Sequence, residues 1–229
     1  AVGVPPLGPM DSYSFRLGNA VLGNDERAAG LELTMRGGAY RFRCACWFCL
    51  AGADMGATLD GQPVGRLAAV RAEAGSVLRF GAAMEGMRAY LLVKGGIDVP
   101  IILGSRSTFV DGKFGGVNGR ALRAGDVLAL FETAEDDAAC RPAPASAPVA
   151  GAGAGFAVDA GSVPSFGHSW TIGVIVGPLS DGEFLRPEFF DTLTSAVYTV
   201  NYDSARTGVR LNGPAPQWAR EDGGEAGLH

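Results

Sequence analysis

The chain has 229 residues, 47% hydrophobic and 19% charged, with a net charge of −5. That length suits one large or two small domains, and that apolar content excludes whole-chain disorder. The acidic balance argues against a nucleic-acid partner, which is met by a clustered basic face, and only Lys94 and Lys113 stand among the 19 basic residues.

Pro5, Pro6 and Pro9 make the opening extended, and Asp11-Ser12 reads as a helix N-cap. A short amphipathic helix is predicted over Tyr13–Leu22, ended in left-handed fashion by Gly23-Asn24. Another turn or helix is expected at Asp25–Gly30. From Leu31 the rhythm becomes β. Predicted strands are Leu31–Met35, Tyr40–Leu50, Ala57–Leu59, Val64–Val70, Val77–Phe80, Arg88–Val93 and Val127–Phe131. Gly37-Gly38, Asp60-Gly61, Ala74-Gly75 and Gly95-Gly96 supply the turns between them. Turn signals about every 8–12 residues favour a barrel or sandwich, so the fold expected is all-β with a few short helices.

Residues 1–131 form the first β-barrel unit in this reading, and residues 132–168 an Ala/Pro/Gly-rich linker or insertion. Residues 169–229 begin a second β-barrel unit that is incomplete. In it, strands are predicted at Trp170–Val176, Thr194–Tyr202 and Val209–Leu211, and a helix at Glu188–Leu193 offers Phe189 and Phe190 to the core. The start lacks an initiator Met and the end stops in a Gly-rich loop, so both ends are expected to be cut. With no signal peptide and no run of 18 apolar residues, a cytoplasmic, reducing setting and no membrane partner are expected.

Cys44, Cys46 and Cys49 form the run CACWFC, in which Cys46 and Cys49 have C-x-x-C spacing. A metal or redox site is one reading and buried core thiols the other; no second C-x-x-C pair supports the metal. Gly104-Ser105-Arg106-Ser107-Thr108 followed by Lys113-Phe114-Gly115-Gly116-Val117-Asn118-Gly119-Arg120 reads as a ligand loop or a plain β-rich loop. Its glycines allow close backbone approach, and Arg106 and Arg120 could pair with a carboxylate. It lacks the G-K-[ST] end of a nucleotide-binding P-loop.

The stretch 201–229, NYDSARTGVRLNGPAPQWAREDGGEAGLH, packs Asn201, Asp203, Ser204, Arg206 and Arg210 into ten residues. Arg220, Glu221, Asp222 and Glu225 follow around a Gly-Gly hinge. Carboxylates with arginines on a permissive backbone suit a small polar substrate. The same residues also suit a solvated loop with weak surface ion pairs.

These stretches, with GVPPLGPMDSYSFRLGNAVLGND, LAGADMGATLDGQPV, YLLVKGGIDVPIILGSRSTF and FGGVNGRALRAGD, resemble the KipA-like carboxyltransferase domain family. That family includes 5-oxoprolinase and allophanate hydrolase subunit-2 proteins. The tail is most similar to the carboxyltransferase region of biotin-dependent urea carboxylases. The resemblance implies cyclophilin-like β-barrel halves and transfer of a carboxyl group from carboxybiotin to urea, giving allophanate. It implies biotin on a carrier domain, a biotin carboxylase domain using ATP and Mg, a second KipI-like barrel, and no metal at this site.

On that basis Asp222, then Glu225, is expected to accept the urea proton, with Arg206 steadying developing charge. Asn201, Asp203, Arg210 and Arg220 are expected to bind substrate. Asp11, Ser107, Gly115 and Gly116 are expected to line the cleft. The family carries further strands on both sides, so the chain by itself is expected to be inactive and poorly closed, with edges prone to association. Two other readings stay open: a biotin-independent 5-oxoprolinase-type amidohydrolase subunit, and a KipA-like regulatory binding module.

Overall fold

The computed structural model describes residues 7–132, 158–177, 182, 184–204, 206 and 208–220. The chain divides into two compact units, Pro6–Ser169 and Trp170–His229, the latter joined by Ala1–Pro5.

The first unit opens with helix α1, Ser12–Val21, where the sequence predicts it. The Asp11 carboxylate accepts from the Ser14 N–H at 2.9 Å, satisfying one of the donors that a helix start leaves open. Gly23, at φ +62°, ends it.

Eight strands follow: β1 Leu31–Thr34, β2 Ala39–Arg41, β3 Cys46–Asp54, β4 Thr58–Leu59, β5 Gln62–Pro63, β6 Val70–Ala72, β7 Val77–Arg79 and β8 Glu85–Val93. They form two antiparallel four-stranded sheets, ordered β1-β8-β3-β6 and β2-β7-β4-β5. The mostly-β expectation with short helices holds.

The long strands β3 and β8 are buried on both faces, which is why CWFCLAGAD and AYLLV show no polar alternation. Phe48 and Leu50 on β3, with Leu91 and Val93 on β8, join Leu33 and Leu78 in one core cluster. The alternate residues Cys49, Ala51, Tyr90 and Leu92 pack with Val21 of α1 and the adjoining Leu22 in a second. Each fully buried large side chain contributes about 1.5–3 kcal/mol. Gly18 lets the helix lie close on the sheet: a Cβ there would fall 2.4 Å from Leu92 Cδ1 and 2.9 Å from Ala51 Cβ.

Three predicted strands come out differently. Tyr40–Leu50 is two strands, because the chain changes sheets at residues 42–45; Phe42 N–H donates to Ser76 O and Gly75 N–H donates to Phe42 O. Val64–Val70 is mostly irregular, with Leu67 at φ +54° donating its N–H to Leu50 O. Val127–Phe131 makes an isolated bridge, Leu130 to Ile97, and no ladder.

Most of the segment expected to be a linker lies outside the described residues. Its end packs within the first unit, where Val158 is buried beside α1 and Tyr13 Oη donates to Ser162 O at 2.8 Å.

In the second unit, helix α2 spans Glu188–Ser195 and buries Phe189. The helix runs two residues beyond the predicted stop, and Thr194 and Ser195 there turn their hydroxyls back onto Phe190 O and Asp191 O. Strands β9 Thr199–Val200 and β10 Leu211–Asn212 pair antiparallel, shorter than predicted. Trp170–Val176 joins no ladder, and Trp170, Ile172, Val174, Ile175 and Val176 are exposed. Among the described residues no helix is long and apolar enough to cross a membrane.

Candidate functional site

In the first unit the glycine-rich loop folds around a bridge between Phe109 and Phe114, whose rings meet edge to face at 5.4 Å. Its glycines are demanded by its own backbone. A Cβ on Gly115 would lie 2.1 Å from Ser107 O, one on Gly116 1.9 Å from Thr108 Oγ1, and both have positive φ. Ser107 accepts a hydrogen bond from Ser105 Oγ at 3.0 Å and gives its own N–H to that same oxygen. The loop is therefore internally tied at three of the positions expected to line a cleft.

Its two arginines also have partners within the fold. Arg120 grips Asp126 with two hydrogen bonds of 2.8 Å, and Arg123 N–H adds a third at 2.7 Å. These donors hold the Asp126 carboxyl well below the usual carboxylate range. Arg106 donates to Val99 O and lies 4.8 Å over the Phe131 ring.

Asp11, besides capping α1, donates its N–H to Tyr90 Oη at 2.8 Å. Tyr90 Oη donates to Glu32 Oε2 at 3.1 Å, and Glu32 also receives Met10 N–H at 2.8 Å and Arg88 Nη1 at 3.2 Å. Burial, then the nearby acidic charge, pushes the Tyr90 hydroxyl above its ordinary range. This network fixes the Gly8-Pro9-Met10-Asp11 segment. Sequence reasoning missed it because Glu32, Arg88 and Tyr90 read there only as strand residues, and their partners lie 22 to 79 positions away.

Cys49 is buried, and burial pushes its thiol up to about 12. Cys46 is also pushed up to about 12, by burial and then by Cys44. Both are poor nucleophiles in consequence. Cys44 is exposed, in the bend before β3, and does not join the core. No group of three or more His, Cys, Asp or Glu side chains among the described residues could hold a metal ion.

In the second unit the turn between β9 and β10 gathers three expected binding residues. Asn201 N–H donates to Arg210 O at 2.8 Å, its Nδ2 donates to Asn212 Oδ1 at 3.0 Å, and its Oδ1 accepts from Asp203 N–H at 2.8 Å. Ser204 Oγ accepts from Arg210 N–H at 3.0 Å and donates to Arg210 O at 3.2 Å. Asn201 and Ser204 thus shape the turn through the backbone of Arg210, whose side chain is exposed. Arg206 is half-buried in the same turn, and the exposed Arg220 follows the Trp218 bridge to Leu185. Asp222 and Glu225 lie outside the described residues.

The arrangement therefore places Arg206 and Arg210 on a turn pinned by its own amides and hydroxyls. Guanidinium donors match a carboxylate or a ureido oxygen.

Comparison with known proteins adds a family. The family described as carboxyltransferase domain, subdomain A and B, matches residues 2–229. The urea amidolyase of Saccharomyces cerevisiae is 42% identical over 231 residues, covering 100% of this chain and 12% of that protein. A 5-oxoprolinase subunit of Escherichia coli is 37% identical over 134 residues, covering 58% of this chain and 43% of that protein. The crystal structure of Kluyveromyces lactis urea carboxylase superposes with a TM-score of 0.81 at 39% identity, over 98% of this chain and 19% of that one. The chain thus spans about an eighth of the length of the amidolyase it matches.

Proposed function

Since the chain belongs to the carboxyltransferase domain family, subdomain A and B, we propose that it is the carboxyltransferase portion of a urea carboxylase. The observation that carries this reading is coverage: similarity to urea amidolyase runs through the whole chain, Asn201–His229 included, whereas similarity to the 5-oxoprolinase protein covers 58% of it.

In this reading the carboxyl group arrives on biotin, borne by a carrier domain and charged at a biotin carboxylase domain that uses ATP and Mg. Biotin supplies an activated carboxyl carbon. The donor set of the 201–210 turn fits such a visitor, because guanidinium N–H groups have only acceptors as partners, and both the ureido oxygen and the carboxylate are acceptors. Bound biotin would supply its carboxyl carbon to a urea nitrogen and take back one proton on its ureido nitrogen, giving allophanate. Asp222, or in second place Glu225, would accept the proton that the urea nitrogen loses. Arg206 steadies the oxygen that gains charge, while Asn201, Asp203, Arg210 and Arg220 orient the substrate. Asp11, Ser107, Gly115 and Gly116 act by holding loop shape. A second KipI-like barrel is the expected partner, and the thiols free among the described residues, Cys44, Cys46 and Cys49, suit a reducing cytoplasm.

The test uses the full polypeptide that carries this chain, with Asp222→Asn and Arg206→Ala. Urea-dependent carboxyl transfer is measured apart from ATP-dependent biotin carboxylation. A fall of about 100-fold or more in transfer alone is expected, on the order of a lost general base. Near-unchanged transfer in Asp222→Asn removes its role. Hydrolysis of a 5-oxoproline-type amide without biotin would favour the 5-oxoprolinase reading instead.

A further inference from the structure

In the first unit, the loop after α1 and the turn after β8 border an open hollow of about 480 Å3. Arg27 comes to it from the loop, Lys94 from the end of β8, and Arg106 from the glycine-rich loop. Three separate parts of the chain therefore deliver three cations to one place, in a protein whose net charge is −5.

Two of the three are held in position. Lys94 Nζ donates to Leu22 O at 2.8 Å, and a Cβ on Gly23 would lie 3.4 Å from that ammonium. Arg106 is fixed by Val99 O and by the ring of Phe131, which also borders the hollow. The walls themselves are tied together by Asn24. Its Nδ2 donates to Asn19 Oδ1 at 3.0 Å and to Val93 O at 2.8 Å, and its Oδ1 accepts from Gly95 N–H at 2.8 Å. The carboxylate on the rim, Asp25, accepts the Arg27 backbone N–H at 2.8 Å, a bond made within its own loop.

Cations gathered round a concave surface repel one another and concentrate anions there. Fixing them beforehand lowers the ordering cost that a ligand meets. We propose that this hollow is a binding site for a small oxyanion, a carboxylate or phosphate group, held by Arg27, Lys94 and Arg106. It goes beyond the carboxyl-transfer reading, needs none of the residues 201–229, and stands or falls separately from it.

The full chain, labelled with 15N, is titrated with inorganic phosphate and separately with malonate at low and near-physiological salt. Saturable amide shifts are expected in Gly23–Ala29 and Lys94–Gly96, with a midpoint in the millimolar range or below and weaker binding as salt rises. Arg27→Gln, on the exposed rim, is expected to raise that midpoint about tenfold, the loss of one charge-assisted contact. Lys94→Met is expected to do the same, with its fold checked by thermal unfolding. Arg41→Gln, exposed on β2, is the control and leaves the midpoint unchanged. Saturation by phosphate alone identifies a phosphate-bearing ligand, and by malonate alone a carboxylate-bearing one. Shifts that stay linear for both anions, a midpoint indifferent to Arg27→Gln, or an equal loss in Arg41→Gln would overturn the site.

Discussion

The two units use apolar residues in opposite ways. In Pro6–Ser169, β3 and β8 bury six and five consecutive residues, because helix α1 covers one face and the second sheet's residues share the cluster on the other. Among the described residues of Trp170–His229 many apolar side chains stand outward: Ile175 is 97% exposed, Tyr202 92% and Val197 87%, while Phe189 is the buried hydrophobic one and Phe190, Leu193 and Trp218 are half-buried. Different forces therefore hold the two parts. One is held by side-chain burial, the other by short ladders and by polar side chains that bind backbone.

That contrast breaks most clearly with paired truncations. Phe48→Ala removes a fully buried ring from the two-sheet core and is expected to cost about 3–5 kcal/mol, read as a lower urea midpoint. Ile175→Ala is expected to fall within about 0.5 kcal/mol of the parent. Equal losses in the two variants would mean that Ile175 is covered in solution.

Tyr90→Phe sharpens the comparison inside the first unit. The ring remains, but Asp11 N–H loses its acceptor and Glu32 loses a donor. A loss of about 1–3 kcal/mol is expected, the penalty for stranding a part-buried donor. A smaller change would show that water replaces the hydroxyl and that Glu32 and the helix cap suffice to hold the Gly8–Asp11 segment.

How much of the molecule is legible in its sequence follows from the same contrast. Helix α1 is legible because its signals are local: Asp11 caps, Gly23 stops, and Leu17 with Val21, and Phe15 with Leu22, stand four and seven residues apart. The split of Tyr40–Leu50 is not, because the alternating Tyr40-Arg41-Phe42-Arg43 runs straight into the apolar Cys44–Leu50 with no glycine or proline to mark the change of sheet. Trp170–Val176 looks like a strand from its alternation, yet a strand needs a paired neighbour, which alternation cannot supply. At the candidate site, the Asn201–Arg210 turn is visible as a cluster of Asn, Asp and Ser. The engagement of Arg120 by Asp126 is hidden because an arginine beside a glycine-rich loop reads as a ligand donor, although R-A-L-R-A-G-D places the two six residues apart around a turn.

In the second unit, Ser204→Ala removes a hydroxyl that both accepts from and donates to the Arg210 backbone. The bonds are exposed, so water takes their place at little cost, and a loss of about 0.5–1 kcal/mol is expected from local order. Hydrogen exchange of the Arg210 amide is the sensitive readout. It is expected to accelerate while the first unit's protection stays as before, which ties the effect to the turn.

The smallest effect belongs to a charge and shows in the pH dependence. Asp126 has its folded-state pKa lowered, chiefly by the Arg120 hydrogen bonds and then by the Arg123 N–H. A depressed carboxyl binds its proton less readily folded than unfolded. Its contribution is therefore complete above the unfolded value of about 3.9, and it is lost as pH falls through the lower folded value. Asp126→Asn is expected to flatten the stability profile in that acid window and to leave its slope near neutral pH alone. An unchanged acid limb would mean that the fork between Arg120 and Asp126 is not kept in solution. The glycine-rich loop would then have to be shaped by its glycines and the Phe109–Phe114 bridge, and Arg120 would regain the freedom to meet a carboxylate.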